Sequence, residues 1–66
     1  MKSYRVYILE PDGRLQLGQA FEAEDDEVAG GQAERAAERG KVAELWEGGR
    51  LVGLVSRDGA FTPGAG

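Results

Sequence analysis

The residues best suited to do chemistry form an acidic run within the segment FEAEDDEVAGG, which spans residues 21–31. The carboxylates of the run are Glu22, Glu24, Asp25, Asp26 and Glu27. Acids that precede a helix accept hydrogen bonds from free backbone N–H groups and lie favourably at the positive end of the helix dipole. Capping needs only one or two acids, so the rest can form an acidic patch that mimics nucleic-acid phosphates. We expect capping as the main role and the acidic patch as the alternative.

The residue types present in the chain give little support to metal binding or catalysis. Ca²⁺ and Mg²⁺ take oxygen ligands, but the acids lack the spacing of an EF-hand loop, and neighbouring carboxylates at a helix start diverge around its axis. The 66 residues include no cysteine and no histidine, so the usual zinc ligands, thiol nucleophiles and imidazole bases are missing. We therefore expect no enzymatic activity, no metal and no cofactor.

Charge and hydropathy restrict the partners. The formal net charge is −4 and the basic residues are scattered, which argues against direct binding of nucleic acid, because affinity for phosphates comes from clustered Lys and Arg. The N-terminus does not resemble a signal peptide, and no apolar stretch reaches the length of a membrane span. We expect a cytoplasmic protein that binds another protein or itself, with no membrane partner.

The elements that position these residues begin with a hairpin. The runs YRVYIL (4–9) and LQLGQAF (15–21) flank Glu10-Pro11-Asp12-Gly13, a sequence typical of a turn. Turn chemistry favours a three-residue loop that places Tyr7 and Leu9 on the same face as Leu15, Leu17 and Phe21. Alternation of apolar and polar residues instead places Tyr4, Val6 and Ile8 on that face. We favour alternation, because burial of one face normally decides the register.

A helix follows the acidic run. Asp25 or Asp26 is the expected N-cap, and Gly40 is the expected stop. A stripe of small side chains at helical spacing lets the helix lie close to a sheet: Val28, Ala29, Ala33, Ala36 and Ala37. Gly30 and Gly31 each cost the helix about 1 kcal/mol relative to Ala, so we expect it to depend on tertiary contacts.

A second hairpin is predicted from KVAELWE and RLVGLVS, which flank Gly48-Gly49. A regular register places Ala43, Leu45, Val52 and Leu54 on one face. The other face then carries four apolar residues: Val42, Trp46, Leu51 and Val55. One helix covers only one side of a sheet. If the face with Trp46 lies away from the helix, we predict that these four residues form an interface anchored by Trp46, and the alternative is that Trp46 packs in the core.

These elements predict an α+β fold of ββαββ order, with a four-stranded, mainly antiparallel sheet and one helix packed on one face. We expect strand order 2-1-3-4, a single domain over residues 1–61 and a disordered tail over residues 62–66. A chain this short builds a marginal core, and without disulfides or metals self-association is the remaining source of stability. The predicted function is non-catalytic protein–protein interaction, including homodimerisation through the apolar sheet face or an edge strand. The alternative is an acidic inhibitor or DNA mimic that binds a basic nucleic-acid-binding protein.

Three segments in this order, YRVYILEPDGR, FEAEDDEVA and VAELWEGGRLV, resemble a group of short uncharacterised bacterial proteins of ββαββ layout. The resemblance covers Tyr4 to Val55. It implies the order of the elements and transfers no functional residue, because the group has no established activity. Gly30 and Gly31 depart from the Ala-rich helix that the resemblance implies.

Overall fold

Five strands and one helix make up the computed structural model, which describes residues 1–64. The elements are β1 (Lys2–Leu9), β2 (Leu15–Ala23), α1 (Asp26–Ala36), β3 (Ala43–Glu47), β4 (Arg50–Val55) and β5 (Phe61–Pro63). The strands form one sheet in the order β2-β1-β3-β4-β5, and every neighbouring pair is antiparallel. The predicted α+β class and the order of the first four strands are confirmed, whereas the prediction of only four strands is wrong.

The fifth strand corrects the predicted end of the domain. Thr62 and Pro63 belong to β5 and pair with Leu54 and Gly53 of β4, where a disordered tail was expected. Residues 65 and 66 of that predicted tail lie outside the described residues. The strand forms because Phe61 packs between the helix and the sheet. No local pattern in the sequence indicates this contact.

The ring of Phe61 lies in a slot made by two glycines. A Cβ atom built on Gly30 would lie 2.7 Å from Phe61 Cδ2, and one built on Gly53 would lie 2.5 Å from Phe61 Cζ and 2.4 Å from the Thr62 carbonyl oxygen. Any side chain at either position would therefore collide with the ring or the β5 backbone. The glycine that looked out of place in the helix thus has a packing reason.

The core lies between α1 and one face of the sheet. Its buried side chains are Tyr4, Val6, Ile8, Ala23, Ala29, Ala33, Ala43, Leu45, Val52 and Val55. Ala29 and Ala33 are fully buried, so the small side chains do let the helix approach the sheet closely. The four largest fully buried side chains, Tyr4, Leu45, Val6 and Val55, all come from the sheet.

The helix begins as predicted and ends early. Asp25 is the N-cap, and its Oδ1 accepts a hydrogen bond from the Val28 N–H at 2.9 Å. The helix ends at Ala36 and Ala37 adopts an extended conformation, so the predicted stop at Gly40 is wrong. The chain leaves the helix early because the next residues form other contacts: the Gly40 N–H donates to the Arg57 carbonyl, and Lys41 Nζ lies 2.9 Å from Glu10 Oε1.

The first hairpin combines both predicted registers. The Gly13 N–H donates to the Glu10 carbonyl and Gly13 has φ of 90°, which is the three-residue loop that turn chemistry favours. Next to this loop, Leu15 and Leu17 pair with Leu9 and Tyr7, so the register favoured by alternation is wrong there.

The register favoured by alternation is confirmed at the far end of the same hairpin. A bulge at Gly18 shifts the pairing by one residue, and beyond it Tyr4 pairs with Phe21. Their rings stack with centroids 5.7 Å apart. The bulge thus returns Phe21 to the helix side of the sheet, beside the buried Tyr4.

The second hairpin also contains a bulge. The two-residue connection at Gly48-Gly49 is confirmed, with Glu47 paired to Arg50 and Trp46 to Leu51. Val52 is then the extra residue, because Leu45 pairs with Gly53 rather than with Val52. The shift exchanges the faces of the last two residues of β4.

Candidate interaction surface on the open sheet face

The side of the sheet that faces away from α1 is called the open face below. Residues alternate between the two sides of a strand, so the neighbours of the buried Tyr4, Val6 and Ile8 point to the open face. Its apolar members are Tyr7, Leu9, Leu15, Leu17, Ala20, Val42, Trp46, Leu51 and Leu54. Its polar members are Ser3, Arg5, Glu22, Glu44 and Thr62.

Exposed apolar surface concentrates on this face. Seven large hydrophobic side chains of the described residues are exposed, and five of them lie here: Leu9, Leu15, Leu17, Leu51 and Leu54, with exposed fractions from 38% to 52%. The other two are Met1 at the terminus and Val28 on the helix. A contiguous apolar patch of this kind is typical of an interaction site.

Trp46 is held in a fixed position at one end of the open face. Its indole Nε1–H donates to Glu44 Oε1 at 2.9 Å, so the polar atom of the ring is satisfied while the ring stays half-buried. Beside it lies a hollow of about 610 Å³, lined by Tyr7, Arg5 and Ala20 among others. The hollow is partly open to solvent, so it suits a protruding side chain of a protein better than a small molecule, which binds where most of its surface is buried.

Three of the four predicted interface residues lie on this face. Trp46 and Leu51 pair directly, and Val42 lies one residue before β3 on the same side. Val55 does not lie on the open face, because the bulge at Val52 turns it to the helix side, where it is fully buried opposite Ala43.

Leu54 takes the place predicted for Val55. The other residues that the prediction missed are Tyr7, Leu9, Leu15 and Leu17, which the first hairpin adds to the open face. The sequence did indicate these residues. The register favoured by the Pro11-Asp12-Gly13 turn places Tyr7 and Leu9 on the same face as Leu15 and Leu17.

The acidic run is divided among different roles. Asp25 caps α1, and Glu22 pairs with Ser3 on the open face. Glu24 and Glu27 are exposed near the start of the helix. The predicted capping role is thus confirmed for Asp25, and the five carboxylates do not share one face.

Asp26 belongs to an ionic clasp made of Tyr4, Asp26, Glu47 and Arg50. Tyr4 Oη–H donates to Asp26 Oδ1 at 2.8 Å, while Arg50 Nη2 lies 2.9 Å from the same oxygen and Nη1 lies 3.0 Å from Oδ2. Arg50 Nη2 also donates to Glu47 Oε1 at 2.6 Å. The clasp ties the start of the helix to β1 and to the turn between β3 and β4.

The clasp changes the acidity of its members. The hydrogen bonds from Arg50 and then from Tyr4 lower the pKa of Asp26 to about 2. Burial, followed by the hydrogen bond to the Asp26 carboxylate, raises the pKa of Tyr4 to about 12. The two carboxylates also raise the pKa of Arg50. Asp26 is therefore charged but already paired, which leaves it little attraction for a basic partner.

Within residues 1–64, no group of three or more acidic, histidine or cysteine side chains is arranged to hold a metal ion. The single helix in that range is also too short and too polar to cross a membrane.

No family model, curated protein or solved structure matches this chain. The open face is therefore the feature of the molecule that points to a function.

Proposed function

We propose that the protein is a non-catalytic interaction domain that self-associates, with the open faces of two copies packed against each other. The observation that carries this proposal is the concentration of exposed large apolar side chains on one sheet face. Covering that face removes apolar surface from water, at about 25 cal/mol for each Å².

The size of the open face is sufficient for a reversible dimer. Five strands spaced about 4.8 Å apart, with about 20 Å of strand length, present on the order of 400 Å² in projection and more as accessible surface. Two such faces bury on the order of 1,000 Å² in total, which is near the lower end for specific interfaces. We therefore expect a dimer that exchanges with monomer rather than an obligate one.

The charge distribution favours a second copy as the occupant of this face. The chain carries a net charge of −4, but the open face has one cation, Arg5, and two acids, Glu22 and Glu44. Glu44 already accepts the hydrogen bond from Trp46. Two copies can therefore bring their open faces together while most of their acidic groups stay apart.

The sheet edges are less suited to pairing with another strand. The edge strand β5 has only three residues, contains Pro63, and directs the Phe61 N–H to Glu34 Oε2 at 2.8 Å. The other edge strand, β2, is interrupted by the bulge at Gly18. Short strands, proline and bulges are features that protect sheet edges, so the face is the better interface.

The acidic inhibitor remains an alternative prediction. The division of the acidic run gives it no added support, since Asp26 is already paired and Glu22 lies on the open face. Ionic strength separates the two functions, because a charge-driven complex weakens as salt rises whereas an apolar interface persists.

Trp46 is the only tryptophan, so its fluorescence reports directly on the open face. As concentration rises, self-association should shift its emission to shorter wavelength and reduce quenching by acrylamide, both at low and at high salt. Leu17→Asp is the matched variant, because it keeps Trp46 and places a charge on an exposed position of the same face. At every concentration, Leu17→Asp should show the emission spectrum that wild type shows when dilute. A wild-type spectrum that does not change with concentration would contradict the proposed function.

A further inference from the structure

The two ends of the open face differ in shape and chemistry. The end near the first turn, called the leucine end, carries Leu9, Leu15 and Leu17, and Leu17 is its most exposed side chain at 52%. The opposite end, called the hollow end, contains the 610 Å³ concavity beside Trp46 and Arg5. One end therefore projects apolar side chains, and the other offers a concave aromatic surface.

A symmetric dimer of two packed faces has its two-fold axis in the plane between the sheets, either along the strands or across them. An axis along the strands places the β2 edge of one copy over the β5 edge of the other. On the open face β5 offers only Thr62, so Leu15 and Leu17 would stay largely uncovered. An axis across the strands places β2 over β2 in the opposite direction, so each leucine end covers a hollow end.

We propose that the two-fold axis of the self-associated form runs across the strands, with Leu17 of each copy directed toward the hollow end of the other. The two copies keep the near-aligned strand directions that packed sheets prefer. This inference rests on the proposed function and goes further, because it specifies which residues of the two copies meet.

Cysteine cross-linking tests the arrangement, because the sequence has no cysteine of its own. Under oxidation, a mixture of Leu17→Cys and Ala20→Cys should form a disulfide between the two variants, since both positions lie near the axis on β2. Trp46→Cys should not link to itself. An axis along the strands predicts the reverse. It lays the central strand β3 on its own copy in the same direction, so that Trp46 faces Trp46 of the partner subunit, whereas β2 lies over β5.

The outcomes separate the inference from the proposed function. If wild type does not self-associate, the proposed function fails and the inference fails with it. If wild type does self-associate but Leu17→Cys and Ala20→Cys do not link to each other, or Trp46→Cys links to itself, only the arrangement is overturned. The mixed disulfide between Leu17→Cys and Ala20→Cys, without self-linking of Trp46→Cys, would support it.

Discussion

Two adjacent helix glycines are expected to respond in opposite ways to the same substitution. Gly30→Ala adds a Cβ atom 2.7 Å from Phe61 Cδ2 and 2.8 Å from Cε2, which is too close for the ring to stay in place. The ring cannot retreat, because Gly53 closes the other side of the slot. At Gly31 the added Cβ atom meets nothing within 4 Å.

The magnitudes follow from two opposing effects. Replacing glycine by alanine inside a helix gains about 1 kcal/mol of propensity. Overpacking a tight site costs about 1–3 kcal/mol. Gly31→Ala should therefore raise the free energy of unfolding by up to about 1 kcal/mol, whereas Gly30→Ala should lower it by about 0–2 kcal/mol.

Urea and thermal unfolding followed by circular dichroism measure both changes. In a domain of this size, 1 kcal/mol corresponds to a shift in Tm of about 4–8 °C. Phe61→Ala provides the control, because Gly30→Ala should lose its cost in that background and become stabilising like Gly31→Ala. If Gly30→Ala stabilises the wild-type background as much as Gly31→Ala does, the slot for Phe61 is refuted.

Three further predictions concern the clasp and the open face. The pKa of Asp26 falls from its ordinary value of 3.8 to about 2, so its stabilising effect is complete above pH 4 and is lost as pH falls toward 2. The urea midpoint of wild type should decline over this window more than that of Asp26→Asn, and equal declines would contradict the clasp. The pKa of Tyr4 rises from 10.0 to about 12, so stability should be retained below pH 10 and lost toward pH 12. Tyr4→Phe should lack this additional alkaline loss, and an unchanged alkaline profile in the variant would count against the shift. Val55→Ala should cost about 2 kcal/mol of unfolding free energy because it empties part of the core, whereas Leu54→Ala should cost less than 1 kcal/mol and weaken self-association instead. Equal losses of stability would show that the bulge at Val52 does not set the faces of β4.

The two turns and the start of the helix could be predicted from the sequence, because they depend on the chemistry of a few neighbouring residues. The turn at Gly13, the two-residue connection at Gly48-Gly49 and the N-cap at Asp25 follow from residues that supply positive φ or accept hydrogen bonds from the helix start. The order of the first four strands follows from the tendency of consecutive elements to pack as neighbours.

The faces of the strands were harder to predict because two bulges change them. The extra residues Gly18 and Val52 each shift the pairing by one position, and a shift of one position exchanges the two sides of a strand. Gly18 and Gly53 are isolated glycines within strands, which is a known sign of a bulge. The sequence therefore contained a sign of both bulges. The bulge at Val52 is the reason that Leu54 and not Val55 lies on the open face.

The fifth strand depends on a contact that is distant in sequence. Phe61 is held between Gly30 of the helix and Gly53 of β4, and neither glycine indicates on its own that it accommodates an aromatic ring. The short segment Phe61–Pro63 ends in proline, which is typical of a loop or of a protected edge strand. Only the packed structure distinguishes these two possibilities.

The most direct test of self-association through the open face compares two apolar positions that are almost equally exposed. Leu17 on the open face is 52% exposed, and Val28 on the helix is 54% exposed. Analytical ultracentrifugation over a wide concentration range would be applied to wild type, Leu17→Asp and Val28→Asp. The two variants add the same charge. We expect wild type and Val28→Asp to form dimers and Leu17→Asp to remain monomeric. A monomeric wild type, or a loss of the dimer in Val28→Asp but not in Leu17→Asp, would contradict the account.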